Sequence, residues 1–332
     1  MEIPRRTFLG AMGAAAVVAA VPNGLEAVTA AAPEAASKKR FWVAACTPCD
    51  KNLKFEEAIY KDMMAWFKEQ GADGVVVLGT TGEYPSFSVA ERKRVTEVAM
   101  KNANGLDMMI QSGTTNFPET LELSQHAADN GANGLLMIPP YYYNHVPDAG
   151  LTKYYSLIFD KIKIPINLYH IPGTSGVPIS LDLLHSLEHY PNLEGIKDSE
   201  PDPQTYENFA TTFPKLNMRT GIANNLERAF NHGMGAILME GNVFTKQIAT
   251  AFAAYRAGKD TAPALATFRE AGKILRPGGV GGYGPMKYAL SLQMGTPQFY
   301  QRPPFLDVTD EQKAAIKAGL EQIKQLGATS HM

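Results

Sequence analysis

Lys197 closes a run in which nothing else invites charge. The stretch "LEGIKDSE", residues 193–200, carries Leu193, Gly195 and Ile196 as a buried strand would, and a lysine is almost never fully buried without a partner. The lysines of "DKIKIP", Lys161 and Lys163, come before a strand, whereas Lys197 ends one. In a parallel sheet, the carboxyl ends of strands are where reactive groups gather. Other stretches offer complementary chemistry. In "LGTTGEYPS" the turn Gly79-Thr80-Thr81-Gly82 directly follows an apolar run. Glycines allow close backbone approach, successive N–H groups form an anion nest, and two hydroxyls can donate to a carboxylate. A tight turn alone would need neither threonine. "PPYYYNH" puts three tyrosines in one loop, and "NLYHIPGTSG" sets Tyr169 at the end of the run before that of Lys197. Singly, each tyrosine reads as a core or interface aromatic. Together with the lysine they make a carboxylate nest, phenolic proton carriers and an amine.

Holding these groups on one face requires strands that all run the same way. Eight short, continuous apolar runs fit that need, as expected where both faces of a sheet are covered. They are 41–46, 74–78, 108–111, 134–138, 164–169, 193–197, 217–220 and 235–239. Helical patterns alternate with them. "FEEAIYKDMMAWFKEQG" ends on Gly71, and "SVAERKRVTEVAMKNANG" opens with a Ser88/Glu91 capping box. Eight strand–helix units predict a closed (βα)8 barrel. An open doubly wound sheet would carry a phosphate-binding glycine turn after the first strand, where this chain reads "CTPCD". Three more helical segments follow the eighth unit: "DTAPALATFREAGKIL", "YGPMKYALSLQMG" and "TDEQKAAIKAGLEQIKQLG". The expected organisation is a signal and linker at 1–37, the barrel at 38–258 and a helical region at 259–332.

Several function classes drop out. A net charge of −2 over 332 residues gives no electrostatic case for nucleic acid. No stretch beyond the first forty residues is long and apolar enough to cross a bilayer. The N-terminal "PRRTFLGAMGAAAVVAAV" pairs Arg5 and Arg6 with a mild, alanine-rich apolar run. It reads as a twin-arginine signal, which predicts periplasmic export. Cys46 and Cys49 are spaced C-x-x-C but lack the helix N-terminus that would stabilise a thiolate, so a redox role is not expected. With no second cysteine pair, neither is a zinc site. Two motifs are decoys. "HSLEH", with His185, Glu188 and His189, matches an inverted zinc-protease pattern, but on an outer helix with the apolar stripe Leu181, Leu184 and Leu187. "GVGGYG", Gly279 to Gly284, matches a dinucleotide fingerprint but follows a helix instead of a strand, so it reads as a connector.

Taken in order, "GTTGE", "PYYYN", "LYHIPGTSG" and "GIKDS" resemble the dihydrodipicolinate synthase and N-acetylneuraminate lyase family, over roughly Phe41 to the last helix. The resemblance implies a Schiff-base lysine, no metal or other cofactor, pyruvate and an aldehyde as reactants, and a homotetramer built as a dimer of dimers. A barrel interior disfavours the ammonium, so the Lys197 amine should titrate below ~10.4 and act as nucleophile on a 2-oxo acid. By resemblance, Thr80 and Thr81 hold the carboxylate, Thr80 relays protons, and Tyr169 is the general acid and base. A second tyrosine crosses from a neighbouring subunit; counting from Pro140 matches it to Tyr142, and the additional tyrosine leaves Tyr143 open. Gly221 and Ile237 fall where the family lines its pocket, beside Gly79 and Gly82.

Departures from the family pattern bear on the substrate. Thr174 stands where the synthase branch has an arginine for the aldehyde's carboxylate. Pro85, Val89 and Arg92 fail to match that branch's lysine-feedback site. Ile222-Ala223-Asn224 replace the acidic residues of the sialic acid branch, and Glu240, just past strand eight, could meet a substrate hydroxyl. The leading expectation is a pyruvate-forming or pyruvate-using lyase for a hydroxylated 2-oxo acid of the 2-keto-3-deoxy sugar acid type. The alternatives are 4-hydroxy-tetrahydrodipicolinate synthase and, outside catalysis, an exported 2-oxo acid binding protein. The latter would need no poised amine.

Overall fold

A computed structural model describes residues 38–275 and 282–329. The N-terminal segment read as an export signal lies outside the described residues, as do Gly279 to Gly281 of the glycine-rich connector. Among the described residues, eight parallel strands close into a barrel in sequence order. They are β1 Phe41–Ala44, β2 Gly74–Val77, β3 Asp107–Gln111, β4 Gly134–Met137, β5 Ile166–His170, β6 Leu193–Asp198, β7 Asn217–Thr220 and β8 Gly235–Leu238. The ring shuts where β1 pairs with β8, Trp42 opposite Ile237. All eight expected runs form strands, because a segment covered on both faces must be apolar throughout.

The covering layer is α1 Glu57–Glu69, α2 Val89–Lys101, α3 Phe117–Asp129, α4 Asp148–Phe159, α5 Leu181–Leu187, α6 Pro203–Thr212, α7 Leu226–Asn231 and α8 Gly241–Arg256. The capping box at Ser88 is present: its hydroxyl accepts from the Glu91 N–H (3.3 Å), and the Glu91 carboxylate accepts from the Ser88 N–H (2.9 Å). Three further helices follow, α9 Ala262–Ile274, α10 Gly284–Met294 and α11 Asp310–Thr329.

The structure corrects the reading of "HSLEH" in detail while agreeing that it is an outer helix. Leu183, Leu184 and Leu187 are the buried residues of α5, and the helix ends before His189. His185 meets Glu188 at 3.3 Å, with both side chains about half exposed, and its ring packs on Phe213. Cys46 and Cys49 are buried free thiols, and burial pushes the Cys46 thiol up to about 12, opposite to what a reactive thiolate needs.

Side chains alternate across each strand, so the residues that share the barrel interior recur every second position. Tyr169 and Lys197 are register partners on β5 and β6, and Lys197 in turn faces Arg219 on β7. Below them, Glu194 accepts from Arg219 (3.0 Å), Asn167 (2.7 Å) and Asn217 (3.0 Å). This polar layer plugs the amino end of the barrel and leaves the carboxyl end open for chemistry.

Candidate active site

At the carboxyl end of the barrel a cavity of about 300 Å³ is lined by residues that follow β2, β5, β6, β7 and β8. Lys197 stands on its floor. The side chain is inward because Gly195 and Lys197 share one face of β6, and the residue is only 6% exposed. Its ammonium donates to the Tyr169 hydroxyl at 3.3 Å and lies 4.3 Å from the centre of that ring. The apolar strand therefore tolerates its terminal charge because a phenol one strand away receives it.

Burial raises the Tyr169 phenol, but the positive charge of Lys197, with Ser199, Thr80 and the ammonium as hydrogen-bonding neighbours, outweighs it. The phenol titrates below the ordinary tyrosine range. A phenol so biased can give up and recover its proton near the reacting carbon. Thr80 and Thr81 both line the cavity. The Thr80 hydroxyl oxygen is buried and makes no hydrogen bond of good geometry among the described residues.

Gly79 and Gly82, read from sequence as letting a ligand approach, do not line the cavity. The Gly82 N–H is taken by the Gly79 carbonyl (2.9 Å) and the Glu83 N–H by the Thr80 carbonyl (3.1 Å), so these two amides close the turn that presents Thr80 and Thr81. Gly82 is required for packing, since a Cβ there would sit 2.9 Å from the Leu78 Cα and 3.1 Å from the Ala45 carbonyl. Ile237 is likewise corrected. It is fully buried and absent from the lining, while Met239, two residues on and on the same face, takes its place.

Gly221, Thr174 and Glu240 do reach the cavity, together with Ile222, Ala223 and Asn224. Gly221 cannot be larger: a Cβ would lie 2.8 Å from the Lys197 Cε and 2.0 Å from the Ser199 Oγ. Glu240, expected from sequence to meet a substrate hydroxyl, has its carboxyl shifted upward. Burial raises its carboxyl, against opposing pulls from its own backbone N–H and from Lys197. One of its oxygens is buried without a hydrogen bond among the described residues. A carboxyl raised in this way takes up a proton more readily than an ordinary glutamate, and when protonated it can donate to a substrate oxygen.

Tyr142 and Tyr143 are not among the residues lining this cavity. They are 76% and 65% exposed and pack edge-to-face on each other, while Tyr141 packs against Tyr84. Arg92, in the feedback-site comparison, is buried, donates to the Gln111 carbonyl (2.8 Å) and stacks on Tyr84. Four lining residues were missed by sequence reasoning: Ile171, Met239, Ser199 and Tyr283. Ser199 lies within the quoted "GIKDS", where only its neighbour lysine drew notice. Tyr283 lies inside the glycine-rich stretch read as a connector, and it comes from the helical region after the barrel. Burial pushes its phenol up to about 12. Ser199 follows Lys197 by two residues, a strand-alternation signal, whereas Tyr283 has no spacing signal, because tertiary folding alone brings it there.

A model of the dihydrodipicolinate synthetase family matches residues 37–323. Among curated relatives, a 4-hydroxy-tetrahydrodipicolinate synthase of Pelagibacter ubique is 32% identical over 289 residues, which covers 84% of this chain and 96% of the relative. A solved structure of an Escherichia coli K12 prophage protein of the dihydrodipicolinic acid synthase family, in complex with pyruvate, aligns with a TM-score of 0.76 at 25% identity. It covers 86% of this chain and 98% of its own. A Ruminococcus gnavus sialic acid aldolase, solved as a catalytic lysine mutant, shares the fold at a TM-score of 0.81 and 23% identity over 89% of this chain and 98% of its own.

Proposed function

This chain belongs to the dihydrodipicolinate synthetase family, and from that premise we propose that, as a lyase of the class I aldolase type, it makes or breaks the bond between pyruvate and an aldehyde whose distal part is hydroxylated and uncharged. The observation that carries this reading is the pairing of Lys197 with Tyr169 on the floor of a cavity rimmed by Thr80 and Thr81. Lys197 attacks the ketone carbon of the 2-oxo acid, and the carbinolamine loses water as Tyr169 supplies the proton. The iminium then withdraws the C3–C4 bonding pair while the C4 hydroxyl gives its proton to Tyr169. The aldehyde leaves, the enamine takes a proton at C3, and water releases pyruvate with the free amine. Thr80 and Thr81 hold the carboxylate.

The distal wall supports the hydroxylated class. Thr174, Asn224, Ser199, Tyr283 and Glu240 offer hydroxyl, amide and carboxyl groups, and Lys197 is the one cation among the described lining residues. A bidentate arginine–carboxylate pair is strong and geometry-specific, and a threonine hydroxyl cannot replace it. The names of curated relatives favour a second reading, 4-hydroxy-tetrahydrodipicolinate synthase. Comparing kcat/KM for 2-keto-3-deoxy sugar acids, 4-hydroxy-2-oxoglutarate, and pyruvate with aspartate semialdehyde separates the two. The sugar acids should lead by roughly a hundredfold, the worth of one strong contact. A lead for either carboxylate-ended system overturns the assignment.

A further inference from the structure

The turn that presents Thr80 and Thr81 is bracketed by two non-glycine residues in left-handed backbone, Leu78 and Glu83, each at φ 57°. That conformation crowds Cβ against the following carbonyl, so it persists only where the surroundings hold it. Leu78 is held by burial in the core. At Glu83 the holding is ionic. Its carboxylate is fully buried and pairs with the equally buried Lys287 of α10. Its other oxygen accepts from the Arg302 N–H at 2.8 Å, and the Lys287 ammonium also donates to the Tyr300 carbonyl at 2.8 Å. Glu83 is thus tied by its main chain to the Thr80 carbonyl and by its side chain to the region after the barrel.

A buried ion pair is a weak source of stability, because desolvation offsets most of its attraction. Its place here calls for another reason. We propose that the Glu83–Lys287 pair is a positioning device that presets the Thr80–Thr81 turn for the substrate carboxylate, so that the helices after the barrel govern affinity for the 2-oxo acid. The inference rests on reading Thr80 and Thr81 as the carboxylate's donors. Glu83 and Lys287 are absent from the cavity lining, so they act through the turn.

The test uses the full chain as wild type, Glu83→Gln, Lys287→Met and the double variant. Each is incubated with graded pyruvate and reduced with borohydride, and the adduct on Lys197 is quantified by mass spectrometry alongside the thermal midpoint. Each single variant leaves a buried polar group unpaired and should melt lower, whereas the double variant should regain most of that loss. Half-saturating pyruvate should nevertheless stay at least tenfold raised in all three, with the adduct yield at saturation within about threefold of wild type. A double variant that recovers wild-type half-saturation together with its midpoint would reduce the pair to a structural role and overturn the proposal. So would single variants that melt lower with unchanged half-saturation. If the singles do not fold, the double variant decides alone. Failure of the underlying Schiff-base reading looks different, since wild type itself would then trap no adduct, and the proposal would fall with it.

Discussion

Gly221 is where the main chain makes room for the amine. Its missing side chain leaves the Lys197 Cε the space it occupies, and the Gly221 N–H is held by the Asp198 carbonyl at 2.6 Å, so the backbone has little freedom to retreat. In Gly221→Ala the lysine stem must move instead. Overpacking of this kind costs about 1–3 kcal/mol in stability, and misplacing a reacting group by about an ångström costs about a hundredfold in rate. The expected outcome is a folded variant, with unchanged far-ultraviolet circular dichroism, whose rate of borohydride trapping falls tenfold to a hundredfold. Near-wild-type trapping would show that the lysine has slack which this packing does not suggest. Of this machinery, Lys197 and Tyr169 were legible in the sequence because a polar group ending an apolar strand violates the strand's own rule. Ile237 was assigned by resemblance, and alternation moved the lining to Met239. Tyr283 was illegible because a long stretch of chain separates it from the barrel strands it meets, with no periodicity to link them.

Among the elements, strands were easier to read than the ties between them. Each strand declares itself by unbroken apolar residues, and α2 by its capping box, all local signals. Arg302 shows what such signals omit. It comes from the segment between α10 and α11, yet it crosses to the start of α2. Its guanidinium donates to Glu91 at 2.6 and 3.1 Å, to the Ser86 carbonyl at 2.7 Å and to the Leu53 carbonyl at 2.9 and 3.1 Å. It also stacks 3.9 Å over the Phe87 ring. Its hydrogen bonds, opposed by burial and aided by Ser88, hold the Glu91 carboxyl down to about 2 from an ordinary 4.5. A depressed carboxyl stabilises the fold fully above the unfolded value and loses that contribution as pH falls through the folded one. The contribution should therefore be intact at pH 5 and fade toward pH 2. The raw shift corresponds to about 3 kcal/mol, but the Glu91 side chain is 41% exposed, so screening leaves about 1 kcal/mol. Urea unfolding at pH 5 and pH 3 checks this: wild type should lose about half of that contribution, about 0.5 kcal/mol, more between them than Arg302→Met does. Parallel losses would mean that Glu91 draws nothing from Arg302.

For the whole molecule, the tyrosine loop is the feature a single chain leaves unexplained. Tyr142 and Tyr143, both among the exposed large hydrophobics, sit together at the same end of the barrel as the reactive lysine without entering its cavity. Tyrosine is enriched at protein interfaces, and adjoining exposed rings are costly to leave in water. We propose that the active unit is at least a dimer in which one of these phenols completes the neighbour's site. In a two-fold assembly each partner gives what it receives, so two differently damaged chains can repair one another. Take Lys197→Ala, which lacks the amine, and Tyr142→Phe, which lacks the crossing phenol, both inactive alone. Dissociated, mixed equally and reassociated at random, half the dimers are mixed. Each mixed dimer holds one intact site, with Lys197 from one chain and Tyr142 from the other, so activity should return to about a quarter of wild type. A parallel mixture with Tyr143→Phe identifies which phenol crosses, because only the variant of the crossing residue is inactive alone and rescued in the mixture. If neither mixture recovers activity, or an isolated monomer turns over at the wild-type rate, each chain works alone and the exposed pair serves some other contact.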